Sequence, residues 1–357
     1  MWKIYNSDII KWLNQYDGKA FHALLCDPPY NLDTIIKRFG KENSAEAKHG
    51  KDGSFSRLSK GFMGETWDTD IAMNPEVWTT IAKCLFPGAL GLAYSHGRTY
   101  HRMATAIENA GYLIYPMIGW IYGQGFPHPT RSPFEGYYYN RNALKGALEP
   151  ICLFQKEREN NHISKYGTGM FNIEGARIKG EPVPINKLEK WSGFGQVERP
   201  KYTPTINENG RWPAHIIIDE SFDIPFDRFF YQAKPNREEK DVGLEELDSV
   251  AFGQSGGAQA AIARGESEYL QKHLGLNRIK YVKNPHATIK SIDLNRYLAT
   301  LLLPPKEFVP RRILVPFSGT GSEMIGALQA GWEEVVGIEL ETKTCEIAAK
   351  RIHHWIK

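Results

Sequence analysis

Along the first 120 residues, apolar and polar positions follow two alternating rhythms. WKIYN (2–6) alternates and reads as a short strand, whereas DIIKWLNQY (8–16) spaces its apolar residues at helical intervals. FHALLCD (21–27) is a continuous apolar run and predicts a buried strand. NPEVWTTIAKCLFPG (74–88) predicts a helix with Asn74 as cap, Pro75 at its first position and Gly88 closing it. ALGLAYS (89–95) reads as a strand, RTYHRMATAIENAG (98–111) as a helix ending at Gly111, and YLIYPMIGWIY (112–122) as one or two strands. The same regularity returns near the C-terminus. There SIDLNRYLATLLLPP (291–305), SEMIGALQAG (322–331) and TKTCEIAAKRIHHWI (342–356) read as helices, with RRILVPF (311–317) and EVVGIEL (334–340) as strands. Strands separated by helices predict a parallel sheet covered on both faces.

From about 123 to 285 the pattern gives way to Pro, Gly, Asn and aromatic residues, with short islands such as HIIID (215–219) and FFYQA (229–233). A long irregular stretch inside a regular α/β chain is more often functional than idle. The reading is therefore an α/β sheet from 1–122 and 286–357, with an insertion at 123–285.

Composition narrows the class. At 357 residues the chain can bury a large core. No apolar stretch reaches the ~18 residues of a membrane span. The start, MWKIYNSDII, lacks the basic and apolar regions of a signal peptide. Cys26, Cys84, Cys152 and Cys345 are scattered without metal-ligand spacing, so no metal is expected and a reducing cytoplasm is. The net charge is only +3, yet residues 270–296 carry Lys272, Arg278, Lys280, Lys283, Lys290 and Arg296 against one acid, Asp293. Residues 31–62 carry seven Lys/Arg against four acids. Two such runs suit contact with phosphates, with Arg278, Lys280 and Lys283 as the candidate phosphate-contacting residues.

Two stretches carry chemistry. Asp27-Pro28-Pro29-Tyr30 closes the buried strand with an acid, two residues lacking an N–H, and a flat ring. Near the other end, Phe317-Ser318-Gly319-Thr320-Gly321 forms a glycine-rich turn between strand and helix, and Glu339 ends the next strand. Glycines admit a ligand close to the backbone, and the acid can accept hydrogen bonds from ribose hydroxyls. The third glycine of a dinucleotide site is missing, since Ser322 and Glu323 follow, and no Walker lysine is present. A nucleoside ligand without a pyrophosphate fits better, and S-adenosylmethionine is the obvious one.

With both motifs in this order, the chain resembles the amino-group DNA methyltransferases that make N6-methyladenine or N4-methylcytosine, in their β-class arrangement. The segments GFMGETWD (61–68), YGTGMFNIEGARI (166–178), RWPAHIIID (211–219) and RFFYQAKPNREEKD (228–241) are similar to parts of phage- and prophage-associated members. The resemblance implies a circularly permuted, Rossmann-like methyltransferase sheet with a target-recognition insertion, S-adenosylmethionine as methyl donor, and double-stranded DNA as partner. It implies that Asp27, Pro28, Pro29 and Tyr30 are catalytic. Asp8, Asp27, His286, Thr288, Lys290, Phe317 to Gly321 and Glu339 would bind the cofactor, with Asp8 near the adenine and the 286–290 segment on the methionine end. Three positions depart from the family pattern: Val315 where members carry Asp, and Ala287 and Ser291 where they carry Pro. A homodimer and a companion restriction enzyme are associations that the family allows. Asp at the head of the tetrapeptide is the usual mark of adenine enzymes. The alternatives are an N4-cytosine enzyme, an RNA or protein-amide methyltransferase, and a non-catalytic DNA-binding relic.

The tetrapeptide has a physical rationale. The lone pair of a base amine is delocalised into the ring, so both N–H bonds must be held while the lone pair faces the methyl donor. Asp27 can accept one N–H and the Pro28 carbonyl the other. The prolines fix φ near −65° and add no competing donor. Tyr30 offers a face to a base flipped out of the duplex.

Overall fold

A computed structural model describes residues 1–30, 47–49, 53–55, 70–123, 129–139, 144–179, 183–187, 203–207, 209–220, 230–233, 241–253, 279–284 and 289–356, with 125, 127 and 239. In chain order its main elements are β1 (Trp2–Asn6), α1 (Ile9–Gln15), β2 (Phe21–Cys26), α2 (Pro75–Lys83), β3 (Leu85–Tyr94) and α3 (Tyr100–Asn109). There follow β4 (Leu113–Ile114), β5 (Ile118–Ile121), β6 (Leu148–Gln155), α4 (His162–Tyr166), β7 (Ile216–Asp219) and β8 (Tyr231–Ala233). The chain closes with α5 (Ile292–Leu302), β9 (Arg312–Pro316), α6 (Ser322–Ala330), β10 (Glu334–Glu339) and α7 (Thr342–Trp355).

These strands form one sheet in the order β1-β10-β9-β2-β3-β6-β5-β7-β8, with β4 on β6. Neighbours run parallel except at β6, which is antiparallel to β3, β4 and β5. The long apolar run of β2 follows from burial on both faces. Ala23 and Leu25 enter the core with α5 and α6, while Leu24 and Cys26 enter the core with α1, α2 and α3. The crossover from β9 leads to β10 on one side, whereas that from β2 leads to β3 on the other. Such a reversal leaves a crevice at the carboxyl ends of the two strands, where open α/β sheets bind ligands.

Two readings need correction. The helix from Pro75 ends at Lys83, not at Gly88, because Phe21 draws Leu85 into the sheet and its N–H donates to the Cys84 carbonyl at 2.8 Å. Gly88 lies within β3, at φ +74°. The stretch from 123 to 285 also supplies β6, β7 and β8, so the sheet is not confined to the two ends of the chain. The sequence hides β6 because LEPICLFQ carries Pro150 and is flanked by polar, glycine-containing segments.

Helices α5 and α6 touch backbone to backbone at Gly326. A Cβ there would lie 2.6 Å from the Arg296 backbone N and 2.7 Å from the Asn295 carbonyl carbon. Gly326→Val should therefore destabilise the protein by roughly 1–3 kcal/mol through overpacking, read as a lower thermal midpoint.

Candidate active site

Strand ends converge on the crevice. Asp27 follows β2, with Pro28 and Pro29 buried behind it and Tyr30 half-buried. Glu149 stands at the start of β6, which runs antiparallel and so brings its first residues to the same edge. Lys290 precedes α5, whose first turn is capped by Ser291. Its side chain is only 6% exposed, and its ammonium lies 2.8 Å from Asp27 Oδ2, 3.0 Å from Glu149 Oε1 and 2.9 Å from the Tyr30 hydroxyl. The three N–H bonds of the ammonium thus meet three acceptors. The Tyr30 hydroxyl in turn lies 2.6 Å from Asp27 Oδ1 and 2.5 Å from Glu149 Oε1. Burial alone would pull the Lys290 pKa down, but Asp27 and Glu149 outweigh it and raise the value above that of an ordinary lysine. Tyr30 is raised well above a free phenol by burial and then by the same two acids.

The glycine turn sits beside this cluster at the end of β9. Phe317, Gly319 and Gly321 all have positive φ (56°, 48° and 83°), which folds the chain back tightly before α6. Glu339, ending β10, accepts the Gly319 N–H at 2.9 Å and the Glu341 N–H at 2.9 Å. Burial pushes its carboxyl pKa up, against those two hydrogen bonds. Arg351 of α7 braces the turn from below, donating to the Thr320 carbonyl at 2.6 Å and its hydroxyl at 2.9 Å. The Ser318 hydroxyl is fully buried and has no hydrogen-bond partner among the described residues.

Lys290 joins the tetrapeptide, where its ammonium contacts Asp27, Glu149 and Tyr30. The Asp8 carboxylate caps α1, accepting the Lys11 N–H at 2.9 Å. It is Asn6 and Ser7 that reach the β10 end, through the Glu339 and Leu340 carbonyls. Val315 points into the apolar core with Met324 and Ile325, leaving no acid at that position. His286, Thr288 and Arg278 lie outside the described residues. Lys280 falls on the two-stranded ladder of Val250–Gly253 with Ile279–Val282, and the Lys283 ammonium donates to the Glu245 carbonyl.

Sequence reasoning missed Glu149, Arg351 and Glu323. Arg351 had a signal, since it falls on the buried stripe of α7 with Cys345, Ala348 and Ile352. Glu323, in the first turn of α6, accepts from the Asn295 amide at 3.2 Å, and Asn295 accepts from the Tyr94 hydroxyl at 2.8 Å. Burial, then the nearby Asp27, pushes the Glu323 carboxyl up to about 7.

The crevice suits a nucleoside that carries positive charge and no phosphate. An acid stands at the glycine turn, carboxylates line the adjoining strand end, and the cation of the cluster, Lys290, is already engaged. Fold and site together define an α/β protein with a glycine turn and an acid-rich cluster side by side at the switch point of its sheet.

No family model matches the chain. Over 180 residues it is 27% identical to the type II methyltransferase M.HindIII of Haemophilus influenzae, a match covering 43% of this chain and 57% of that protein. The match therefore spans little more than half the length of that curated relative. Among solved structures it is similar to the M1.HpyAVI–SAM complex, at 14% identity and a TM-score of 0.44 over 99% of both chains. It is also similar to the cytosine-N4-specific PvuII DNA methyltransferase, at 11% identity and a TM-score of 0.48 over 98% of this chain and 86% of that one. The resemblance to DNA modification methyltransferases thus rests on a curated relative as well as on the two motifs.

Proposed function

We propose that this protein transfers a methyl group from S-adenosylmethionine to the exocyclic amine of a base flipped out of duplex DNA. The observation that carries the reading is the placement of Asp27–Tyr30 and Phe317–Gly321 at the ends of adjacent strands, where the sheet reverses. Phe317 to Gly321 would cradle the adenosine and Glu339 would accept from the ribose hydroxyls. Asn6 and Asp8, at the neighbouring strand end, would flank the base of the cofactor. When bound, S-adenosylmethionine supplies an electrophilic methyl group on a sulfonium.

The chain's own residues do the rest. Each oxygen of Asp27 already accepts one hydrogen bond but keeps a second lone pair for an amine N–H. The Pro28 carbonyl takes the other N–H, and the amine lone pair is left to face the methyl group. Because these acceptors are fixed before the substrate arrives, little reorganisation remains for the transition state.

The preferred substrate is adenine N6, on the strength of Asp27 at the head of the tetrapeptide; cytosine N4 is the alternative. The sheet reads as a permuted methyltransferase arrangement. The segments around β7 and β8, with the two-stranded ladders of Val183–Lys187 on Thr203–Asn207 and of Val250–Gly253 on Ile279–Val282, would recognise the target, and Arg278, Lys280 and Lys283 would contact phosphates. Nucleoside mass spectrometry of DNA incubated with the protein and cofactor tests all of this. N6-methyladenine is expected. N4-methylcytosine alone would reassign the base, and no methylated base would remove the proposal.

Glu339 offers a narrower check. Glu339→Ala removes the ribose acceptor and releases the Gly319 N–H, so calorimetry should show affinity for S-adenosylmethionine falling by roughly 10–100-fold, the worth of a charged hydrogen bond.

A further inference from the structure

Methylation of an amine leaves one proton too many on its nitrogen, and the clamp that receives it is closed off from water once a base fills the crevice. Three oxygens lead away from that point: Asp27 Oδ1, the Tyr30 hydroxyl 2.6 Å on, and Glu149 Oε1 a further 2.5 Å on. A phenol has one proton to donate, so the two carboxylates compete for it from almost equal distances. Lys290 reaches Asp27 and Glu149 together, at 2.8 Å and 3.0 Å, and so neutralises whichever of them is ionised.

From this arrangement we propose that Asp27, Tyr30 and Glu149 form a proton relay in which Glu149 is the final acceptor, an inference resting on the methyl-transfer reading above. The balance is simple. As the carbon–sulfur bond breaks and the nitrogen–carbon bond forms, the nitrogen becomes cationic. Its N–H proton passes to Asp27 Oδ1. Asp27 then donates to the Tyr30 oxygen while the Tyr30 hydroxyl proton moves to Glu149 Oε1. The amine ends neutral, Glu149 ends protonated, and Lys290 keeps its charge throughout. Glu149 then returns the proton to water after the product leaves. Glu149 acts through Tyr30 and is a positioning and relay residue, without contact to the base.

The test is single-turnover methyl transfer across a range of pH for wild type, Glu149→Gln, Tyr30→Phe and the double variant, with cofactor and DNA affinities measured alongside. Both single variants should lose about 100-fold in rate, the lower end of general acid–base effects, with affinities unchanged. Their rates should climb with pH, as water takes over from Glu149. The double variant should be no slower than the slower single one, since either change cuts the same path. Acetate should restore part of the rate to Glu149→Ala. Wild-type rate and pH profile in Glu149→Gln would overturn the relay, and so would losses that multiply in the double variant. Should the Glu149 variants fail to fold, Tyr30→Phe decides, because an unchanged rate and pH profile overturns the relay. Failure of the function itself is distinct: the wild type would neither bind S-adenosylmethionine nor methylate DNA.

Discussion

Asp27→Ala should lower the rate of methyl transfer by about 100-fold or more, while leaving DNA affinity intact. The carboxylate is the acceptor whose hydrogen bond strengthens most as the amine nitrogen gains positive charge, so its loss falls on kcat rather than on binding. Two further contacts go with it, because Asp27 holds the Lys290 ammonium and the Tyr30 hydroxyl. Glu149 keeps both of those partners, at 3.0 Å and 2.5 Å, so the fold should survive. Asp27→Asn preserves the shape but can turn an N–H towards the amine, and it should be nearly as impaired. Rates near wild type in a folded Asp27→Ala protein would mean that the tetrapeptide is only a rigid turn.

The parts of this site that lie together in sequence were legible, and those assembled by pairing across the sheet were not. Asp27 to Tyr30 and Phe317 to Gly321 are contiguous, and each follows an apolar run whose length and β-branched content mark a strand. Glu339 could be read because one α/β unit separates it from the turn. Glu149 could not. It reaches Tyr30 only because β6 runs antiparallel into the sheet, 119 residues further along the chain. Lys290 was expected at the methionine end of the cofactor, and its long side chain meets two negative charges at that edge, Asp27 and Glu149. The misjudged end of α2 has a similar cause. Gly88 is a sound local stop signal, but the pairing of Phe21 with Leu85 ends the helix a turn earlier.

Lys290 is where the largest loss of stability is expected. Its ammonium is the shared cation between two carboxylates that are each about 15% exposed. Lys290→Met keeps most of the volume but leaves Asp27 and Glu149 facing one another with no positive charge between them. Removing one member of a buried ion cluster typically costs about 3–5 kcal/mol, so the thermal midpoint should fall by many degrees at neutral pH. The variant can recover part of this by taking up a proton on one of the two acids. Its folded form then binds more protons than its unfolded form, so its stability should rise as pH falls from neutral towards the carboxylate range. Methyl transfer should be lost at every pH: when both acids are ionised they repel and misplace Tyr30, and when one is protonated the clamp loses an acceptor. Thermal melts of wild type and Lys290→Met across that pH range would check the sign. A variant as stable as wild type at neutral pH, or one that loses stability on acidification, would show that Lys290 does not hold the two acids together.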